Sequence, residues 1–482
     1  MFHRRLQPLE ILSPESLDVI DAGWRRIVAD SGIEFLHEGA LERFRRAGQR
    51  VEGEVVHLDP DWMLEQVAQV PGEFEHHGRN PERAIRFAAD RMVFCSSQSA
   101  PFVREGTTRR NAVYDDFVRF VRLTHVLDEL DTPGYPVCEP ADRPPETRHL
   151  DLQMALIRET DKPYGGAQFD PVAARDSIAM AELVHGGRRA IEERPALFGV
   201  INANSPLRFD TRMVESLIAF AEAGQIVVVT PFILMGAMGP VSIAAALAQQ
   251  TAESLAGIAL TQLVRPGCPA VMGSFVSHSD MQSGSPGFGG PESAIGLLAS
   301  GQIARRHGLL WRAGGGGLTS AQLVDAQAAF EALNTMLPAF LAGANLVLHA
   351  AGWLESGLVA CYEKYVTDID ALRILQREFT PLDVREPDLT LESFGEAGHG
   401  GHFFGTAHTL EHFRDCFYRP LAFSTEGYER WQTGGGKDTA ARAEARWREL
   451  LEAYEQPPLA ESTAGALREF VERRRREIEA DL

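Results

Sequence analysis

Aromatic and amide side chains stand repeatedly at the ends of short apolar runs in this chain. Ser96 and Gln98 follow Met92–Cys95, Glu139 follows Tyr135–Cys138, and Gln168 with Phe169 closes Lys162–Phe169. Asn202 ends Leu197–Asn202, with Asn204 just beyond it, and Thr230 and Phe232 close Gln225–Phe232. Phe275 ends Pro269–Phe275, with His278 in the loop after it, and Trp311 lies in Leu309–Arg312. His349 ends Asn345–His349, and Trp353 and Glu355 follow it. The set has many amides and aromatics, few carboxylates and no nucleophile with its base.

The missing motifs narrow the chemistry further. No CxxC, HxC or HExxH spacing is present, so no zinc or other metal site is expected. No P-loop and no GxSxG occur. Gly314–Gly317 would suit a phosphate cradle, but a turn that lets a ligand or another chain approach closely is the favoured reading. His408 and His412 are four apart on an expected helix, and no carboxylate or cysteine completes a metal set with them or with His399. His402, beside Phe403 and Phe404 and flanked by glycines, reads as part of a lid over a binding site. The long Gly/Ser loop Val276–Gly290 reads as a mobile active-site loop.

These side chains need a frame to bring them together. Each apolar run is followed by a helical segment, several with Asp-Pro or Gly-Pro starts and Gly stops, as at Asp170-Pro171 and Gly186-Gly187. Continuous apolar strands alternating with helices imply a parallel sheet buried on both faces. Eight such units predict an α/β fold, a (β/α)8 TIM-type barrel over residues 90–385, with the site at the C-terminal ends of the strands. A doubly wound open sheet is the runner-up. Residues 1–89 read as a helical lead-in with a short strand or two, opened by Ser13-Pro14 and Asp59-Pro60. Residues 386–482 read as a helical C-terminal cap whose Arg473–Arg476 run is a solvated face interleaved with glutamates.

The 482 residues carry a net charge of −20, with 44% hydrophobic and 24% charged residues. Such a balance excludes wholesale disorder and argues against nucleic-acid or anionic-membrane binding, while a cationic ligand is compatible with it. No apolar run reaches membrane-spanning length and the N-terminus lacks a signal-peptide core. Five scattered cysteines fit reduced thiols in the cytoplasm. A homo-oligomer is compatible with all of this.

The stretch from Lys162 to about Thr380 resembles the trimethylamine methyltransferase family. The resemblance rests on PESAIGLLASGQIARRHGLLWRAGGGG, on SAQLVDAQAAFEALNTMLPAFLAGANLVLHAAGWLESGL, and on HTLEHFRDCFYRP with YERW in the C-terminal part. It implies a (β/α)8 barrel that moves a methyl group from a methylated amine to the cobalt of a corrinoid held on a separate small protein. The DxHxxG motif of those corrinoid modules does not occur in this chain. Archaeal trimethylamine enzymes carry pyrrolysine after the last barrel strand, where this chain has only ordinary residues in Ala350–Leu358. It therefore resembles the pyrrolysine-lacking branch, which includes glycine betaine methyltransferases, and this implies a quaternary amine as substrate.

A quaternary ammonium already carries a good leaving group, so cobalt(I) attacks its methyl directly and the chain needs no covalent nucleophile. Its work is positioning and desolvation. The resemblance marks His349, Glu355 and Gly357 as candidate catalytic positions, with the missing pyrrolysine placed near Ser356 or Gly357. Phe169, Phe232, Phe275, Trp311 and Trp353 are suited to holding a cation. Gln168, Asn202 and His349, with His402 at the mouth, complete the expected substrate site, the first three as donors to a carboxylate. A barrel enzyme of other chemistry, or a non-enzymatic barrel that binds quaternary amines or a partner, is the alternative.

Overall fold

The computed structural model describes residues 1–481. Seven parallel strands form its central sheet: β1 (Arg91–Phe94), β2 (Tyr164–Gly165), β3 (Leu197–Ala203), β4 (Ile226–Pro231), β5 (Ala270–Gly273), β6 (Trp311–Ala313) and β7 (Leu346–Val347). They pair in the order β2-β3-β4-β5-β6-β7-β1, and Phe2–His3 adds an antiparallel strand to β1. Seven helices of three turns or more lie between these strands, and an eighth is the first such helix after β7: α1 (Tyr114–Val126), α2 (Arg148–Glu159), α3 (Pro171–His185), α4 (Thr211–Glu222), α5 (Ile243–Val264), α6 (Pro291–Arg306), α7 (Ala326–Ala342) and α8 (Tyr362–Glu378). Their starts follow side-chain chemistry. Asp170 accepts from the amides of Val172 and Ala173 ahead of α3, and Asp210 caps Met213 N at the start of α4.

Seven of the eight expected strands form. The expected strand Tyr135–Cys138 does not, and its place is taken by residues 131–134. Thr132 bridges Cys95 in parallel, Asp131 N donates to Phe94 O at 2.8 Å, and Gly165 N donates to Gly134 O at 3.2 Å. Pro133 and Pro136 account for the difference, since each removes an amide that a regular ladder would use.

Strand alternation sorts the side chains into two layers. Val93, Cys95, Phe198, Val200, Ile226, Val228, Val271, Leu310, Leu346 and Leu348 form an inner cluster. The intervening residues, among them Phe94, Val227, Val229, Met272 and Trp311, pack outward in the larger core shared with the helices. The hairpin Phe74–His76 with Ile85–Phe87 sets Phe74, Ile85 and Phe87 against the inner cluster. The first 89 residues thus hold more strand than expected. A second small sheet joins Ile33–Phe35, Arg50–Glu52, Val55–His57 and Arg208–Phe209. Such three-residue strands leave too short a pattern to read.

At the C-terminal end, Thr439–Glu452 packs on α8 and α1, with Trp447 stacked on Tyr362 at 4.6 Å. Glu461–Ala480 packs on α3 and α2 through Arg474–Asp176 and Arg475–Asp151 pairs at 2.7 Å. Among the described residues no helix is long and apolar enough to cross a membrane.

Candidate active site

The C-terminal ends of β6 and β7 build the centre of the site. Leu310 faces inward, so alternation turns Arg312 inward as well. Arg312 is buried, and its guanidinium donates to Ser274 O at 2.9 Å and toward His349 Nε2 at 3.1 Å. Its third nitrogen, Nε, is buried without a partner. Burial lowers the Arg312 pKa to about 9. It also holds His349 well below the usual histidine range, with the Arg312 charge acting in the same direction. His349 is therefore a neutral imidazole. Since Nε2 accepts from Arg312, the ring proton sits on Nδ1, and that atom is buried and unpartnered.

His349 takes a left-handed backbone, φ +63°, at the point where β7 turns across the end of β1. Its own amide donates to Ser96 O, and Ala350 N donates to Cys95 O at 2.8 Å. Burial pushes the Cys95 thiol up to about 12, so Cys95 is neutral wall rather than nucleophile. Gly314 and Gly316 allow the neighbouring backbones to close up. A Cβ on Gly316 would lie 2.7 Å from Ala350 Cα, and one on Gly314 2.7 Å from Phe275 Cα. The glycine run is a close-approach turn, as its sequence suggested. From α8, Asp368 accepts from Gly352 N at 2.8 Å and pairs with Lys364, which donates to Gly317 O at 3.2 Å, so the two loops are tied together.

Beside this polar pair runs a chain of aromatic rings. The His349 and Trp353 rings stack at 3.7 Å and 13°. Trp353 lies 6.5 Å from Phe288, Phe288 lies 5.1 Å from Phe275 edge-to-face, and Phe275 lies 4.4 Å from Phe232. Trp353 Nε1 is buried without a partner, as are Thr230 Oγ1 and Ser97 Oγ. Asn202 pairs in register with Thr230, on neighbouring strands.

The turn after Trp353 is strained and clamped. Glu355, Ser356 and Gly357 take φ of +52°, +54° and +91°. Glu355 receives Arg104 at 2.8 Å and Arg109 at 3.3 Å, both from the hairpin Phe102–Glu105 and Thr108–Asn111. Ser356 Oγ donates to Pro286 O at 2.9 Å, which ties the turn to the 276–290 loop carrying Phe288. A Cβ on Gly357 would meet the Trp353 ring at 3.1 Å. Glu355 thus acts on its own turn, and Gly357 is where the backbone crosses the indole.

The expected residues divide accordingly. His349, Trp353, Phe275 and Phe232 come together, with Glu355 and Gly357 on the adjoining turn. Trp311 does not join them. Its Nε1 donates outward to Ser274 Oγ at 2.8 Å and its ring meets α6 at Gly301, because the strand turns its neighbour Arg312 inward instead. Phe169 lines a separate cavity of about 500 Å³ with Tyr135, Glu139, His149 and Arg474. Gln168 is buried with its amide donating to Tyr135 O at 3.3 Å. His402 is exposed, its ring 5.8 Å from Phe404 and away from this cluster. Sequence reasoning missed Arg312, Phe288, Arg104 and Arg109. The period-two alternation from Leu310 would have found Arg312; nothing local marks the other three.

Among the described residues no group of three or more His, Cys, Asp or Glu side chains is placed to hold a metal. The model of a family described as trimethylamine methyltransferase matches residues 1–479. A glycine betaine methyltransferase of Desulfitobacterium hafniense (strain Y51) is 36% identical over 474 residues, covering 98% of each chain. A proline betaine:corrinoid methyltransferase of Eubacterium limosum is 25% identical over 456 residues, 92% of this chain and 94% of that one. Among solved structures, the Methanosarcina barkeri monomethylamine methyltransferase aligns with a TM-score of 0.54 at 9% identity, over 94% of this chain and 90% of the other, a likeness of fold.

Proposed function

The chain belongs to the trimethylamine methyltransferase family, and on that premise we propose that it demethylates a carboxylate-bearing quaternary amine of the betaine class. One observation carries the choice of substrate. A buried guanidinium, Arg312, stands beside the neutral His349, within an aromatic cluster, and both present unpartnered donors. A buried arginine repels a ligand that is only cationic. It favours a zwitterion whose carboxylate meets Arg312 Nε and His349 Nδ1 while its trimethylammonium lies against Trp353, Phe288, Phe275 and Phe232. Trimethylamine and choline-like cations lack the group that would satisfy those donors, and a buried unpaired donor costs about 1–3 kcal/mol.

A reduced corrinoid on a separate small protein supplies the cobalt nucleophile that takes the methyl group. The chain's own residues bind, orient and desolvate. As the methyl departs, the C–N bonding pair returns to nitrogen and a neutral tertiary amine leaves, so no proton need be supplied at that atom. His349 in this reading is a donor to substrate and not a general acid, in keeping with its depressed pKa. Glu355 with Arg104 and Arg109 holds the turn over Trp353. Residues 131–134 would serve as a reduced eighth strand. Their bonds to Phe94 and Gly165 on either side support closure of the sheet into a (β/α)8 barrel over 90–385, between the lead-in 1–89 and the C-terminal part 386–482. The free and mostly buried cysteines suit a cytoplasmic setting.

The test is methyl transfer to free cob(I)alamin from glycine betaine, proline betaine, carnitine, choline and trimethylamine. Turnover with at least one carboxylate-bearing quaternary amine, and none with trimethylamine, is expected. Turnover confined to choline or trimethylamine overturns the reading.

A further inference from the structure

Between α8 and Thr439–Glu452 the chain leaves the body as an arm. It departs near Phe379 and returns at Tyr418–Phe423, where the Asp370 carboxylate accepts from the amides of Leu421, Ala422 and Phe423 at 2.7–3.0 Å. Two short helices of the arm, Leu391–Ala397 and Ala407–His412, pack on the turn Phe403–Gly405 between them. The arm's large apolar side chains face outward. Phe404 is 82% exposed and Phe417 84%, and Leu391, Phe394, Leu410 and Phe413 are each more than half exposed. At the arm's base Leu382 and Val384 are also exposed. Asp383 between them pairs with Arg5 at 3.0 Å, which brings the exposed N-terminal segment alongside.

We infer that this arm is the interface through which two copies of the chain hold one another. Three observations select a second copy. The first is area. Summed over these exposed phenyl and aliphatic side chains, the apolar surface is roughly 800 Å², the amount each partner of a standard interface buries. The second is charge. From Ala397 to Leu410 there is no Asp, Glu, Lys or Arg, in a chain whose net charge of −20 elsewhere opposes self-association. The third is permanence. A carrier that docks and leaves at every turnover uses a smaller, more polar surface, whereas a surface this rich in exposed phenyl and aliphatic side chains fits an obligate interface.

The experiment is sedimentation velocity of the full chain over a concentration series. A species of at least twice the 53.0 kDa chain mass is expected. Phe404→Glu with Phe417→Glu should weaken its association at least about 100-fold, as expected when two interface anchors are lost. A wild-type protein that stays at one chain mass throughout, or a double variant that assembles as well as the wild type, overturns the inference. Cys416, the one exposed thiol, gives a second readout on the arm. It should react slowly with a thiol reagent in the wild type and faster once copies separate. Fast reaction at every concentration overturns the inference even if the double variant does not fold. No readout here is an activity, so the outcome is independent of the proposed reaction.

Discussion

The guanidinium of Arg312 donates to Nε2 of His349 at 3.1 Å, and this one bond decides what His349 offers a ligand. It fixes the proton on Nδ1 and leaves that N–H buried with no acceptor of the protein's own. The pair is built to meet an anionic group, and the aromatic rings beside it are built to meet a cation.

Arg312→Met removes the charge and keeps most of the volume. Catalytic efficiency (kcat/KM) with a betaine should fall at least about 100-fold, the size of a lost charge-assisted hydrogen bond with its partner left unpaired. Stability should hold or rise, since burial of this guanidinium is unfavourable, as its lowered pKa records. Thermal unfolding of the variant checks the second half. A large loss of Tm with binding intact would make Arg312 a structural residue.

The same group sets a pH dependence. Arg312 stays protonated up to about 9 in the free site. A carboxylate ligand should bind evenly from about pH 6 to 8 and weaken as pH rises through about 9, where the guanidinium loses its proton. His349 is held well below 6.5 and stays neutral across that range, so no transition should appear near pH 6.5. Isothermal titration with a betaine over this range reads both points.

Trp353→Ala should weaken a betaine by about 1–2 kcal/mol, the order of a desolvated cation–π contact together with the loss of the His349 stack. His349→Ala should hurt betaines more than choline-like cations, because only the former use the Nδ1 donor. Equal losses for both ligands in the His349 variant, measured by equilibrium dialysis, would place His349 in the core instead.

The strand and helix alternation was legible because buried parallel strands are continuous apolar runs and the helices carry side-chain caps, as at Asp170 and Asp210. The second strand was misplaced because prolines interrupt it and only backbone bonds to its neighbours define it. In the site, the residues after β7 were legible from their position at a strand end. Trp311 has the chemistry to hold a cation, but the alternation from Leu310 turns its neighbour Arg312 inward instead. Phe288 was hidden inside a Gly/Ser loop, and its place depends on the long-range Ser356–Pro286 tie.

Glu355→Gln tests the clamp. It leaves Arg104, which is largely buried, without its charge partner and loosens the turn over Trp353. kcat should drop several-fold while KM for the betaine moves less, and Glu355→Asp should restore part of the loss. A change confined to Tm, with both kinetic constants intact, would make the clamp purely structural.

The most direct measurement compares methyl transfer to cob(I)alamin from glycine betaine with that from choline, as a ratio of kcat/KM values in the wild type and in Arg312→Met. The wild type should favour the betaine strongly, and the variant should lose most of that preference through the betaine alone. A ratio near one in the wild type, or a preference that survives loss of Arg312, would contradict the account.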